Sequence, residues 1–314
     1  MTTLAFITSD DAWVMTAGVL CNVSCGLLGC YLVLRRMSLL GDAITHAILP
    51  GLALAFMITN SRHIFPMMIG ALVVGLLTAF LTQALSRWGK VPEDSSMGVV
   101  FTSLFALGVL MITVVADDVD LDPGCVLYGD IGATPGFPLI IGDWEAPVPR
   151  QVAILGVVLL VNLAAIGLFY KELKVVSFDP MLAVSMGINA TLVHYGLMTL
   201  VAGTAVASFE SVGSILVVAM LIAPPATAHL LTDRLSVMLV LSALLGAIAA
   251  IAGYLISAYV IDTPPAAMMA VVAGAQFALA VFFAPRYGLI SSRLRQPSLT
   301  MPARPWQTED PGRI

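Results

Sequence analysis

Asp42 and His46 are the residues of this sequence whose types and spacing most favour chemistry. They lie four residues apart in the run RRMSLLGDAITHAILPGLALAF, so a helix would place both on one face. A carboxylate and a neutral imidazole together offer oxygen and nitrogen ligands to a divalent transition metal ion. Two alternatives remain open, namely a mutual hydrogen bond that fixes helix packing and a proton relay.

The residues around this pair sharpen the metal interpretation. Pro50 has no N–H, so the His46 carbonyl would lose its helical donor and could become a further ligand or accept a hydrogen bond from water. Gly41 and Gly51 flank the pair and would let neighbouring helices approach closely. Two copies of the segment at a twofold axis would provide two Asp and two His, a set that suits manganese, iron or zinc.

The composition places these residues in a membrane. Of the 314 residues, 59% are hydrophobic and 11% are charged, whereas an average soluble domain has about 25% charged residues. The mean hydropathy of +0.99 excludes a soluble enzyme and a disordered protein. The net charge of −5 argues against a nucleic-acid-binding protein.

The charged residues divide the chain into apolar stretches of membrane-spanning length. A bilayer core of about 30 Å needs about 20 residues of helix. Nine charge-free stretches reach at least 19 residues, at 12–34, 43–61, 63–86, 95–116, 151–170, 180–209, 211–232, 235–261 and 263–285. The sequence therefore predicts an all-α polytopic membrane protein with about nine transmembrane helices. The range is eight to ten, because only Glu210 separates two of the stretches and a broken helix would also fit there.

The basic residues predict the orientation of the chain. If the N-terminus is outside and nine spans alternate, 12 of the 14 Lys and Arg lie on the inner side, and Arg62 and Arg150 lie outside. Counted from Arg36 at 1.5 Å per residue, Asp42 lies about 9 Å and His46 about 15 Å into the membrane. We expect one transmembrane domain over 1–290 and a mobile cytoplasmic tail over 291–314.

Two further regions carry weaker candidates. The outer loop 117–150 is rich in acids and in Pro and Gly, and is either an ordinary solvated loop or a region that collects cations. Glu210 at the predicted outer turn and His229 near the inner end of a span are weaker candidates for lining the path.

The inner loop 171–190 predicts a short helix at the membrane surface. Asp179 is its expected N-cap, Pro180 its first residue and Gly187 its C-cap. Its apolar face comprises Phe178, Met181, Leu182 and Met186. We expect this face to contact the lipid interface or a cytoplasmic protein. The sequence contains neither a P-loop nor an H-E-x-x-H motif, so we expect no ATP hydrolysis or proteolysis by this chain itself.

Three stretches resemble the permease subunits of the bacterial manganese, zinc and iron ABC importers, the ABC-3 family. They are RRMSLLGDAITHAILPG at 35–51, VSFDPMLAVSMGI at 176–188, and SVGSILVVAMLIAPPATAHLLTDRL at 211–235. The similarity runs from about residue 12 to 290. The loop 117–150 is longer and more acidic than this family leads us to expect, and the resemblance assigns no role to the tail 291–314.

The resemblance implies a type II importer-like permease in the bacterial plasma membrane, with no enzymatic activity and no permanently bound cofactor. Asp42 and His46 would coordinate the passing manganese, zinc or iron ion. The implied partners are cytoplasmic ABC ATPase subunits, an extracytoplasmic metal-binding protein and a second permease copy or paralogue. The implied ATPase-coupling residues are Phe178, Asp179, Pro180, Met181, Leu182, Ala183 and Gly187. The alternative is an ion-coupled secondary metal transporter that uses no ATPase, in which the pair relays protons.

Overall fold

The structure is a computed structural model that describes residues 8–37, 39–59, 64–115, 129, 131–141 and 144–284. Helices dominate the described residues. They are α1 (Ser9–Leu34), α2 (Leu39–Ala47), α3 (Leu49–Thr59), α4 (Ile64–Gly89), α5 (Glu93–Val115), α6 (Arg150–Leu168), α7 (Tyr170–Phe178), α8 (Pro180–Ser185), α9 (Ala190–Leu231), α10 (Leu235–Ile256) and α11 (Pro265–Phe283). The predicted tail over 291–314 lies outside the described residues.

Eight of the described helical segments are long and apolar enough to cross a membrane, and a shorter apolar helix covers Leu216–Leu231. The all-α polytopic prediction is thus confirmed, and the nine predicted spans correspond to the eight long segments and the shorter helix. The long segments are Ser9–Leu34, Leu39–Thr59, Pro66–Gly89, Asp94–Thr113, Arg150–Leu168, Ala190–Phe209, Leu235–Ile261 and Pro265–Phe283.

Helix α1 is the centre of the larger packing unit, where it contacts α6, α9 and α10. Small residues line its buried faces, and they let the neighbouring backbones approach closely. At Gly29, a Cβ would overlap the backbone of Leu221 in α9. A capping box between Thr8 and Asp11 begins the helix. Asp11 also accepts hydrogen bonds from the hydroxyls of Tyr254 and Tyr259, which ties α1 to the end of α10.

Helices α2 to α5 form a second unit, which joins the first through contacts of α2 and α4 with α9. The span predicted over 43–61 is two helices that meet at Ile48. Two residues after the break, Pro50 has no N–H to donate to the His46 carbonyl. The Ile48 carbonyl accepts from the N–H groups of Gly51 and Leu52 at 2.9 and 3.1 Å, which begins the hydrogen bonding of α3. The break therefore follows from one proline, and it lies two residues beyond His46.

Helix α9 contains a second break, at Gly213, where φ is 75° and ψ is 169°. Only glycine adopts such a backbone at little cost, so the residue type fixes the position of the break. Gly129, with φ of 63°, packs so closely that a Cβ there would overlap the Val212 and Gly213 backbone. The predicted division near Glu210 is thus a sharp interruption three residues later.

The predicted outer loop contains more regular structure than its composition indicates. A 3₁₀ helix covers Ile131–Gly136, and an antiparallel pair of strands follows, β1 (Pro138–Ile141) with β2 (Trp144–Pro149). The hydroxyl of Thr134 donates to the side-chain oxygen of Gln151 in α6 at 2.6 Å, and both residues are buried. Most of the acidic residues of this loop lie outside the described residues.

Candidate metal site and coupling segment

Asp42 and His46 converge on one face of α2. The Nε2 atom of His46 lies 3.3 Å from Oδ1 of Asp42, and the side chains are 30% and 37% exposed, respectively. The four-residue spacing produces this convergence, as the sequence predicts. Both side chains are therefore partly accessible at the surface of the single chain. They lie within a candidate membrane span, Leu39–Thr59, that contains no other charged residue.

The separation of these two atoms suits chelation of one metal ion. Nitrogen and carboxylate ligands lie about 2.0–2.2 Å from a tetrahedral zinc ion, so two ligands of one ion are about 3.3–3.6 Å apart. The Asp42 and His46 atoms already have this separation. A metal ion could therefore replace their mutual hydrogen bond without a large movement of either side chain.

Two aromatic residues of α5 form a wall beside the imidazole. The ring of Phe101 lies 6.1 Å from that of His46 at an interplanar angle of 41°, and Phe105 lies at the same distance edge-on, at 89°. The sequence alone does not distinguish these two residues from the other apolar residues of α5. Their four-residue spacing on one helix face was the available signal, but many apolar helices show the same spacing.

Close packing of backbones fixes the position of the pair from behind. A Cβ at Gly51 would overlap the carbonyl oxygen of Gly70 in α4, so α3 and α4 are in direct contact. A Cβ at Gly41 would lie 2.9 Å from Cδ1 of Leu221, and one at Gly108 would lie 2.7 Å from Cδ of Pro50. The predicted close approach at Gly41 and Gly51 is present, and the pair rests on α4, α5 and α9.

The pair supplies two protein ligands. Among the described residues, no group of three or more His, Cys, Asp or Glu side chains could hold a metal ion. A structural or catalytic zinc site usually has three or four protein ligands. The ligands that complete a site at Asp42 and His46 would have to be water, a backbone carbonyl, a residue outside the described part of this chain, or a residue of another chain.

The weaker sequence candidates lie apart from this pair. His229 is exposed in the last turn of α9, and no group of described metal-ligating residues joins it to Asp42 or His46. Glu210 lies in α9 three residues before the break, and its side chain lies outside the described part of the structure.

The thiols of α1 serve packing. The Cys21 thiol donates to the Met220 sulfur at 3.6 Å, and Cys25 lies 3.7 Å from the Ser208 hydroxyl. Both cysteines are fully buried and free. The four-residue spacing of Cys21 and Cys25 thus brings small side chains against α9.

The short helix predicted in the loop 171–190 is present as α8, and its local signals operate as expected. The Asp179 carboxylate accepts from the N–H groups of Met181 and Leu182 at 3.0 Å each, and Pro180 is the first helical residue. Gly187, with φ of 81°, ends the segment. Its N–H donates to the Val184 carbonyl, and the next N–H donates to Ala183, which is a Schellman motif.

The apolar face of α8 is uncovered in the single chain. Met181 is 82% exposed, and Ala183 alone among the six residues of this described helix is buried. The other apolar side chains of the segment are at least half exposed, namely Phe178, Leu182, Val184 and Met186. An exposed apolar cluster of this kind marks a surface for a lipid interface or for another protein.

Comparison with known proteins shows one consistent family. The sequence model of the ABC 3 transport family matches residues 11–284. The manganese transport system membrane protein MntD of Bacillus subtilis is 46% identical over 287 residues, which cover 91% of this chain and 96% of the relative. The zinc transport system membrane protein TroD of Treponema pallidum is 41% identical over 277 residues, which cover 88% and 75% of the two chains.

A solved structure agrees with the sequence comparisons. A chain of PsaBC from Streptococcus pneumoniae, solved in complex with Fab, superposes with a TM-score of 0.73 at 33% identity. The match covers 89% of this chain and 94% of that chain. The chain described here is therefore a multi-pass membrane permease that belongs to the ABC 3 transport family.

Proposed function

We propose that this chain is the permease subunit of an ATP-driven importer for divalent transition metal ions, and that Asp42 and His46 bind the ion in transit. The observation that carries this proposal is the convergence of a carboxylate oxygen and an imidazole nitrogen, 3.3 Å apart, within a membrane-spanning segment. Placing an ionisable side chain inside a membrane costs free energy, and such residues are typical of ion pathways.

A second permease chain completes the site in this proposal. The pair supplies one oxygen and one nitrogen ligand, and it faces outward from the single chain with 37% and 30% of the side chains exposed. A second copy or a paralogue that presents the same face would bring the set to two Asp and two His, and would line a shared pathway. Oxygen and nitrogen ligands suit manganese, zinc and iron alike.

The energy for transport comes from separate ATPase subunits that dock on the segment from Phe178 to Gly187. The exposed apolar face of α8 supports this role, because an apolar cluster of this kind marks a surface that binds another protein or the membrane. Asp179 caps the start of α8 and Gly187 follows its end. In this proposal these caps let α8 move as one unit when the ATPase changes conformation. An extracytoplasmic metal-binding protein would deliver the ion to the opposite side of the membrane.

The proposed location is the bacterial plasma membrane, with the N-terminus outside and the C-terminus in the cytoplasm. Twelve of the 14 Lys and Arg then lie on the cytoplasmic side. The same orientation places α8 in the cytoplasm, where ATP is available to its partner. Relatives named as manganese and zinc transport proteins support a divalent metal cargo without selecting one ion.

The test is metal uptake by the reconstituted complex of this permease, its ATPase and its binding protein in proteoliposomes. We expect D42N and H46Q to lower Mn²⁺ or Zn²⁺ uptake at least about 100-fold, because loss of an outer-sphere partner alone costs about 10- to 100-fold. Assembly of the complex should be unchanged, since both substitutions preserve side-chain volume. Normal uptake by both variants would refute the site.

The matched control is D94N, which removes a carboxylate from an exposed position near the start of α5. It should transport metal at the normal rate. A second measurement omits the ATPase from the proteoliposomes. Uptake driven by a proton or sodium gradient in its absence would contradict the proposal and establish a secondary transporter.

A further inference from the structure

The side chain of Arg35 joins three helices at one end of the bundle. Its Nε donates to the Ser177 hydroxyl at 3.3 Å, and its Nη1 lies 3.2 Å from Nδ1 of His194. Guanidinium has no acceptor, so the Nδ1 atom of His194 accepts and the ring proton is on Nε2. The planar guanidinium of Arg35 thus connects α7 and α9 to the end of α1.

Ser177 and His194 lie before and after α8 along the chain, and we call α8 the coupling helix. Ser177 lies in the last turn of α7, two residues before the N-cap Asp179. His194 lies in the first turns of α9, which begins at Ala190, five residues after α8 ends. A displacement of α8 must therefore move one or both of the groups that Arg35 holds.

Arg35 lies at the end of α1, shortly before α2, the helix that carries Asp42 and His46. It is the C-cap of α1, and Arg36 follows in a left-handed conformation with φ of 59°. The N–H of Met37 donates to the Leu32 carbonyl at 2.9 Å, which completes a tight Schellman reversal. Helix α2 then begins at Leu39, and Asp42 is in its first turn.

We propose that Arg35 is the positioning residue that transmits movement of the coupling helix to the α1–α2 connection, and through it to the Asp42–His46 pair. This inference rests on the proposed function, since it assumes that an ATPase moves α8. Arginine is required because its planar fork reaches Ser177 and His194 together, whereas a lysine ammonium is a point charge on a flexible stem. In this proposal Arg35 acts through its hydrogen bonds with Ser177 and His194.

The experiment measures two rates in the reconstituted complex: metal uptake, and ATP hydrolysis with and without the loaded binding protein. We expect R35Q to lower the metal transported per ATP at least about tenfold, because hydrogen bonds from a charged group are each worth a factor of about ten or more. ATP hydrolysis should continue without stimulation by the binding protein. The matched control is R36Q, an exposed neighbour, which should keep the normal ratio.

A pair of variants at His194 keeps the test decisive if R35Q fails to assemble. H194A removes the acceptor and should lower the transport-to-hydrolysis ratio, whereas H194N places an amide oxygen near the former Nδ1 position and should restore it. A structural role alone would lower complex stability in both variants and leave the ratio unchanged. Equal ratios in H194A and H194N, or an equal loss in R35Q and R36Q, would overturn the proposal.

The outcome for Arg35 is separable from the outcome for the proposed function. If the unaltered complex transports metal, and D42N and H46Q do not, the proposed function stands whatever R35Q does. A normal ratio in R35Q then contradicts only the transmission role. If the unaltered complex hydrolyses ATP but transports no divalent metal, the proposed function itself is wrong.

Discussion

The Asp42–His46 pair is partly exposed and the coupling helix α8 is largely exposed in the single chain, but different forces hold them in place. The pair depends on tertiary packing, in which Gly51 meets Gly70 and Gly41 meets Leu221. Helix α8 depends on its own sequence, with the Asp179 cap at its start and Gly187 at its end.

The difference matches what each region has to do. Two ligands of one ion must keep their separation within tenths of an ångström, and close-packed backbones provide that precision. A docking helix needs a defined shape and an accessible face, and local caps provide both without burying it. The exposed polar pair and the exposed apolar face thus require different partners.

The largest effect on ATPase docking should come from placing a charge on the apolar face of α8. Met181 is 82% exposed in the single chain, and the proposed partner would bury it. We expect M181D to weaken binding of the ATPase to the detergent-solubilised permease at least about 30-fold, the factor equivalent to a hot-spot residue of about 2 kcal/mol. Co-purification with the ATPase, or a binding titration, measures this.

The control for M181D is S95D, which adds the same charge at a polar, exposed position near the start of α5, outside the docking segment. It should bind the ATPase normally, and neither variant should change metal binding by the pair. If M181D also binds normally, α8 is not the docking surface. The two regions would then differ less than their structures indicate.

An intermediate effect should follow from disturbing the packing behind the metal pair. In G51A, the new Cβ overlaps the Gly70 carbonyl, so we expect a loss of about 1–3 kcal/mol in stability. Thermal unfolding in detergent should show a lower midpoint, and metal uptake should fall with it. ATPase binding at α8 should not change.

Gly98 in α5 provides the comparison for Gly51, because a Cβ there meets no atom within 4 Å. G98A should leave the unfolding midpoint unchanged or raise it, since alanine in a helix is favoured over glycine by up to about 1 kcal/mol. An equal loss of stability in G51A and G98A would show that close packing is not what positions the pair.

The smallest effect should come from removing the cap of α8. D179A deletes the acceptor for the N–H groups of Met181 and Leu182, at a cost of about 1 kcal/mol. ATPase binding should weaken about fivefold, the factor for about 1 kcal/mol, with metal binding unchanged. N189A removes the corresponding cap of α9 and should not weaken ATPase binding, and a loss as large as that of D179A would contradict this.

The same distinction explains what could be predicted from the sequence. The caps of α8 were predictable residue by residue, because Asp-Pro at a helix start and glycine at its end act through bonds within a few residues. The convergence of Asp42 and His46 follows equally from their spacing on one helix. The apolar stretches predicted the spans, since length and charge alone decide them.

Features that depend on distant residues were not predictable in this way. The aromatic wall of Phe101 and Phe105 exists only because α5 packs beside α2. The break in α9 falls at Gly213 and not at the charged Glu210, because a positive φ is needed there and Gly129 packs against it. The strand pair over 138–149 needs a partner for each strand, a relation that composition does not reveal.

The interruption at Ile48 has a mechanical consequence. It divides one span into α2 and α3. Helix α2 has nine residues, is about 13 Å long and carries Asp42 and His46. Helix α3 packs through Gly51 against α4. We expect the angle between the two short helices to change more readily than one continuous helix would bend, because Pro50 has no N–H to donate across the break. A proline placed one turn beyond the histidine thus divides one span into a helix that carries the polar pair and a second helix that rests on α4.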